Sequence, residues 1–133
     1  MSKNIRTEAV NRLFDGILSL KDREECYTFF EDICTVNELL SLSQRMEVAY
    51  MLRGQKTYLE IAEKTGASTA TISRVNRSLN YGKDGYDMVF ERLKEKEEGK
   101  ELILFLFFSF FGGSGHVIYG LLNNHFFNVN VKT

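Results

Sequence analysis

Thr69, Ala70, Ser73, Arg74 and Arg77 are the residues of this chain whose types and spacing suit a definite chemistry. Hydroxyls can bond to base edges, a methyl group can touch that of thymine, and guanidinium groups bind phosphate oxygens. Gathered on one face of a helix, they would suit an element that brings its N-terminal end to the floor of a DNA major groove and holds the backbone with its arginines. Interleaved with them, Ile72, Val75 and Leu79 recur at spacings of three and four. On a helix that makes one buried stripe and leaves the polar set free on the other side.

Other chemistry is poorly served. The chain has no phosphate-cradling GxxxxGK[ST], Gly82-Lys83 and Gly99-Lys100 lack the upstream glycine, and the GGSG after Phe111 precedes no helix start that would suit a dinucleotide. Nothing sets a base beside a nucleophile, and His116 and His125 both fall in the C-terminal tail. Cys26 and Cys34 form no CxxC pair and have no histidine nearby, so two reduced, buried thiols are expected. The expectation is a protein that is not an enzyme and needs neither cofactor nor metal.

The elements that would position the polar face lie just upstream. Thr57 followed by Glu60 is a capping box, so a helix begins there. Ile61 and Ala62 face inward, with Ala62 small enough for a second helix to cross closely. Gly66 supplies the positive φ of a tight turn, and Ser68 caps the helix carrying the polar face. Thr57 to Leu79 thus reads as a helix-turn-helix. The whole chain is near neutral, with 17 Lys plus Arg against 18 Asp plus Glu, but residues 53–83 hold six bases against two acids. A local excess of four positive charges attracts phosphate, while the acidic remainder limits indiscriminate binding.

The rest of the first hundred residues reads as helix throughout. Val10, Leu13, Phe14, Ile17 and Leu18 share a stripe within residues 6–20. Asp22 with Glu25 and Thr35 with Glu38 make two further capping boxes, the first opening a helix with Cys26, Phe29, Phe30 and Ile33 on its apolar face. The helix from Val36 carries Val36, Leu39, Leu40, Met46, Ala49 and Leu52, with a break expected near Ser43 and a stop at Gly54. Asp84 is read as the cap of a last helix bearing Tyr86, Val89, Phe90 and Leu93, and the alternating Lys and Glu of residues 94–100 as its solvated end. With no strand-period segment there and no proline in the chain, the fold class is all-α. Helices this short with broad apolar faces must pack on one another, and a homodimer is expected, built from the N-terminal helices and the Tyr86 to Leu93 helix.

The run GQKTYLEIAEKTGASTATISRVNRSL, preceded by LSLSQRMEVAYMLR, resembles the Trp repressor superfamily, and within it the short Trp-repressor-like proteins of the YerC/YecD type. The resemblance covers residues 6–94 and is most specific at Ala70 to Arg74 and at Ser78-Leu79. It implies a six-helix, interlocked dimer that binds double-stranded operator DNA, with Tyr58, Leu59 and Ala62 on the first helix of the motif and Thr69, Ala70 and Ser73 on the second facing the duplex. The best-known member sandwiches L-tryptophan between two arginines. Arg45 and Arg74 stand in comparable places, Arg45 if the loop before Thr57 is one residue shorter. That pocket requires glycine after the second arginine, and here the residue is Val75. Tryptophan is therefore not expected as effector, and Arg45 is read as one half of a structural ion pair. Leu59 and Ala62 replace polar and basic contacts of that repressor, so the operator should differ.

Composition changes abruptly at Glu101, and no Asp, Glu, Lys or Arg occurs between it and Lys132. A DNA-binding domain over residues 1–100 and an apolar tail over 101–133 are expected. Residues 102–122 are long enough to span a bilayer, although the glycine cluster and His116 argue against it. The run LILFLFFSFF could instead pack on the dimer as a helix or strand, or the tail could be an extension from an altered reading frame. The N-terminus has no secretory pattern, so a cytoplasmic location is expected. These features together predict a DNA-binding transcriptional regulator, with repression as the likelier sign. The alternative is a protein-interaction or membrane-attached adaptor using the same helix pair.

Overall fold

The computed structural model describes residues 4–111, all of whose regular structure is helical. Six helices follow in order: α1 (Glu8–Ser19), α2 (Arg23–Ile33), α3 (Val36–Arg53), α4 (Tyr58–Thr65), α5 (Thr69–Tyr81) and α6 (Gly85–Phe111). They fall into two units, dividing between Tyr81 and Gly82. The all-α, six-helix expectation holds.

In the first unit, contact between helices is concentrated among α3, α4 and α5. Val48, Ala49 and Met51 from α3 meet Ile61 from α4, Ala67 from the turn, and Ile72, Val75 and Leu79 from α5. Fully burying each of the larger aliphatic side chains contributes about 1.5–3 kcal/mol before chain entropy is counted. No charged or polar residue is buried among the described residues. The predicted α3 stripe of Met46, Ala49 and Leu52 is turned slightly: Ala49 is buried together with Val48 and Met51, while Met46 and Leu52 are half-buried.

Helix starts follow the local chemistry closely. At α3 and α4 both halves of the capping box form: Thr35 and Thr57 accept the N–H of Glu38 and Glu60, whose carboxylates accept the Thr35 and Thr57 N–H at 2.8 and 2.7 Å. At α2 the box is incomplete. Asp22 accepts the Glu25 N–H, but the Glu25 carboxylate takes the N–H of Lys21, one residue further out.

Three other expectations are corrected, and a fourth, the stop at Gly54, is refined. The break near Ser43 is absent, because residues 36–53 contain neither glycine nor proline and one serine is a small helix penalty. Gly54 does end α3, as expected, standing as its C-cap at φ -77°, and the left-handed residue is the next one. Gln55 takes that conformation at φ 57°, and the N–H groups of Gln55 and Lys56 bond back to Leu52 and Met51 in a Schellman turn. Asp84 is left-handed, also at φ 57°, unlike the extended threonine caps, and it is its backbone carbonyl that accepts the Met88 N–H. Lastly, residues 94–100 do not end α6. Lys and Glu are good helix formers and Lys94 pairs with Glu98 one turn on at 3.7 Å, so the helix runs through Gly99 to Phe111.

Along α6, Tyr86 and Phe90 are half-buried and stack in a tilted pair. Leu102 to Phe107 are exposed all round the helix. The run LILFLFFSFF is thus helical, and the expected boundary at residue 101 lies inside a continuous helix. No helix among the described residues is long and apolar enough to cross a membrane; most of the 102–122 span considered from sequence lies outside them.

Helices α1 and α2 bury no residue in the single chain. Leu18 is 82 % exposed, and Phe14, Tyr27, Ile33, Val36 and Leu40 are also open to solvent. Cys26 and Cys34 are free and half-buried, short of the full burial expected. Arg23, Cys26, Tyr27, Phe30 and Leu39 line a shallow cavity of about 130 Å³.

The capping boxes make stability depend on pH. Backbone N–H bonds from Thr35 and Thr57 hold the Glu38 and Glu60 carboxyls below their ordinary value of 4.5. A lowered folded-state pKa contributes stability that is present above the unfolded value and is lost as pH falls through the folded one. The Glu38→Gln/Glu60→Gln protein keeps the hydrogen-bond acceptors but cannot be protonated there. Circular dichroism melts should therefore show its melting temperature falling less steeply than the parent's between roughly pH 5 and pH 3.

Candidate nucleic-acid interface

The exposed face of α5 is prepared by what lies beneath it. Ser68 Oγ accepts the Thr71 N–H at 3.2 Å and opens the helix. Ile72, Val75 and Leu79 then go into the core, as their spacing predicts. At 3.6 residues per turn, Ala70, Ser73 and Arg77 fall in one line on the opposite side, with Thr69 and Arg74 beside it. All five are exposed. The two hydroxyl-bearing residues and the methyl group lie towards the helix start and the guanidinium groups further along, in the order the sequence suggested.

Helix α4 reaches α5 through Gly66, whose φ of 68° reverses the chain. Thr65 Oγ1 donates to the Ile61 carbonyl and accepts the Ala67 N–H, which ties the turn to the helix before it. Tyr58 is partly exposed, Leu59 is 69 % exposed and Ala62 is half-buried beside the fully buried Ile61. The expectation that Ala62 faces inward is only partly met, since it keeps some access to solvent.

Three polar contacts at the edge of the core were not foreseen. Gln44 Nε2 on α3 donates to the Thr65 carbonyl at 3.0 Å and covers the C-terminal end of α4. An Arg53 guanidinium nitrogen donates to the Leu79 carbonyl at 3.1 Å, near the C-terminal end of α5, where positive charge is favoured. Asn76 Nδ2 donates to Tyr58 Oη at 3.2 Å and joins the two helices of the motif directly. Of the six bases counted in residues 53–83, Arg53 therefore has a structural task. Of the two acids, Glu60 is turned onto the start of its own helix.

Arg45, Arg74 and Val75 are the positions compared with the tryptophan pocket. Val75 is 2 % exposed and fills the core, so its place is not empty. Arg45 Nε donates to the Ser41 carbonyl one turn back on its own helix at 3.2 Å, which replaces the ion pair expected of it. Arg74 lies on the exposed side of α5.

The turn can be tested alone. A Cβ built on Gly66 meets nothing within 4 Å, so Gly66→Ala introduces backbone strain without a clash. It should destabilise the protein by about 1–2 kcal/mol. In urea titrations the midpoint should fall while the slope stays that of the parent.

Comparisons with known proteins agree with this arrangement. Residues 8–94 match the family model of the Trp repressor protein. The uncharacterised protein YerC of Bacillus subtilis (strain 168) is 60% identical over 93 residues, which span 70% of this chain and 89% of YerC. The crystal structure of a TrpR-like protein from Eubacterium eligens ATCC 27750 is similar at 74% identity and a TM-score of 0.67, over 68% of this chain and 93% of that one. A Trp repressor candidate of known crystal structure from Staphylococcus aureus is 54% identical with a TM-score of 0.67, over 70% of this chain and 96% of its own. About three tenths of the present chain lie outside these alignments, and the family model ends at residue 94, ahead of the apolar end of α6. With its capped α4, left-handed Gly66 and buried α5 stripe inside the matched segment, the chain belongs to the Trp repressor family.

Proposed function

We propose that this protein is a sequence-specific DNA-binding transcriptional regulator that acts as a cytoplasmic homodimer and represses by covering its operator. The observation that carries the reading is the exposed α5 line of Ala70, Ser73 and Arg77, flanked by Thr69 and Arg74 and backed by a buried stripe. Inserted in the major groove, Thr69 and Ser73 hydroxyls reach base edges and the Ala70 methyl group meets thymine, while Arg74 and Arg77 hold phosphates. Tyr58 and Leu59 at the start of α4, with Ala62 one turn on, face the duplex beside the same groove. Residues 1–100 act as the DNA-binding domain, and 101–133 are a separate tail outside this role.

The apolar faces of α1 and α2 support the dimer. In the single chain Phe14, Leu18, Tyr27 and Ile33 are exposed, several large apolar side chains on two helices that bury none, and a second copy is the partner the family fold suggests. Two-fold symmetry then places two α5 helices about one turn of DNA apart. Tryptophan is not the effector on this reading, since Val75 occupies the space that an indole needs.

Genomic selection of bound duplex fragments at two salt concentrations should recover a palindrome with half-sites about one DNA turn apart. Arg74→Ala and Arg77→Ala should each weaken binding to every duplex and lower the salt slope by about one. Ser73→Ala and Thr69→Ala should instead alter base preference at single positions, by about 1–3 kcal/mol. Recovery of no preferred sequence, together with parent-like binding by all four variants, would sink the reading. Calorimetric titration with L-tryptophan at millimolar concentration should give no binding signal, and sedimentation should give twice the chain mass.

A further inference from the structure

Asn76 lies on the flank of α5 nearest the start of α4, off the Ala70–Ser73–Arg77 line, and its side-chain amide is engaged at both ends. Asn80 Nδ2 donates to Asn76 Oδ1 and to the Asn76 carbonyl, each at 3.0 Å. Asn76 Nδ2 then donates to Tyr58 Oη at 3.2 Å. The donors run in one direction, from Asn80 through Asn76 to Tyr58.

That direction decides what the tyrosine can do. A phenol oxygen can accept and donate, and here the accepting side is occupied by Asn76. The hydroxyl proton meets no acceptor among the described residues, and Tyr58 is partly exposed. Each bond accepted upstream polarises the next donor, so the relay makes the tyrosine O–H a stronger donor than an isolated phenol. A phosphate oxygen accepts and never donates, which matches a hydroxyl whose remaining capacity is to donate. The geometry points to Asn76 as a positioning residue that turns the Tyr58 hydroxyl proton outward onto a phosphate of the bound duplex, an inference that rests on the groove reading above.

Asparagine is the side chain that sets this polarity. An aspartate at the same place would still accept from Asn80, and it would accept the tyrosine proton as well. The contact between α4 and α5 would survive, but the proton would point inward. The two roles, holding the helices together and aiming the hydroxyl, are therefore separable by one substitution.

The test uses the full chain and a fluorescein-labelled duplex of random sequence, since a phosphate contact is made on any DNA. Tyr58→Phe should weaken binding about tenfold, as expected for a hydrogen bond to a charged group. Asn76→Asp should leave the melting temperature near the parent's. Its loss of affinity should be about tenfold larger in the parent than in the Tyr58→Phe background, where only charge repulsion remains. Equal losses in both backgrounds, or parent-like binding by Tyr58→Phe, would overturn the inference. Arg77→Ala, measured alongside, tells the two failures apart. If it loses affinity while Tyr58→Phe does not, only the positioning role falls; if both bind as the parent does, the groove reading falls and takes this inference with it.

Discussion

Burial of one wholly apolar junction, Ile61 and Ile72 against Val48 and Ala49 with Val75 and Leu79 beside them, is the constraint on which the rest of the first unit depends. Apolar contact has no direction of its own, so it holds α3, α4 and α5 together without fixing the angles between them. Those angles are set at the rim. Gln44 and Arg53 reach from α3 to backbone carbonyls near the C-terminal ends of α4 and α5, and Asn76 crosses from α5 to Tyr58. Each of these bonds joins two different elements, and each has good geometry only when the helices stand at one mutual angle. The exposed polar face of α5 is thus a by-product of core packing: once Ile72, Val75 and Leu79 are buried, Ala70, Ser73 and Arg77 have nowhere to point but outward.

This division explains what could be read from the residues alone. The Thr35–Glu38 and Thr57–Glu60 boxes, the left-handed Gly66, the Ser68 cap and the α5 stripe depend on neighbours within a few residues, and every one of them is present. The rim bonds join residues 21, 26 and 18 positions apart, so no spacing rule announces them. A glutamine or asparagine on a helix surface looks the same in sequence whether it faces water or a neighbouring carbonyl. The misread ends have the same cause. At the end of α3 the stop at Gly54 was legible, but not that Gln55 takes the positive φ, its N–H and that of Lys56 bonding back to the Leu52 and Met51 carbonyls. The charges of residues 94–100 looked like a solvated terminus, although solvation and helicity are compatible when Lys and Glu alternate. Exposure of the five α5 residues was legible from periodicity, whereas their proposed contacts to DNA were drawn from residue chemistry and family resemblance.

The open faces of α1 and α2 have a physical link to the groove reading. Helices of 12 and 11 residues are marginal alone in water, and in the single chain neither buries a residue. In a dimer that covers those faces, their folding and the separation of the two recognition helices become one event. The distance between half-sites would then be a property of the apolar interface, remote from any residue that touches DNA. A substitution at Phe14 or Leu18 would act on operator spacing and on stability together, while one at Ser73 would act on base preference alone.

Val75 is where folding and regulation compete for the same space. A side chain that completes the α5 stripe cannot also leave room for an aromatic ring beside Arg74, and here the core has that space. Arg45 is turned back onto the Ser41 carbonyl of its own helix. In a protein whose pocket stays empty until an effector arrives, ligand binding can decide the orientation of the reading helix. With valine in place, packing on the proposed reading supplies that energy during folding, with no small molecule completing the surface under α5. On the proposed reading, occupancy of the operator would follow protein concentration through dimerisation and DNA affinity, and control would lie in how much of the protein is made.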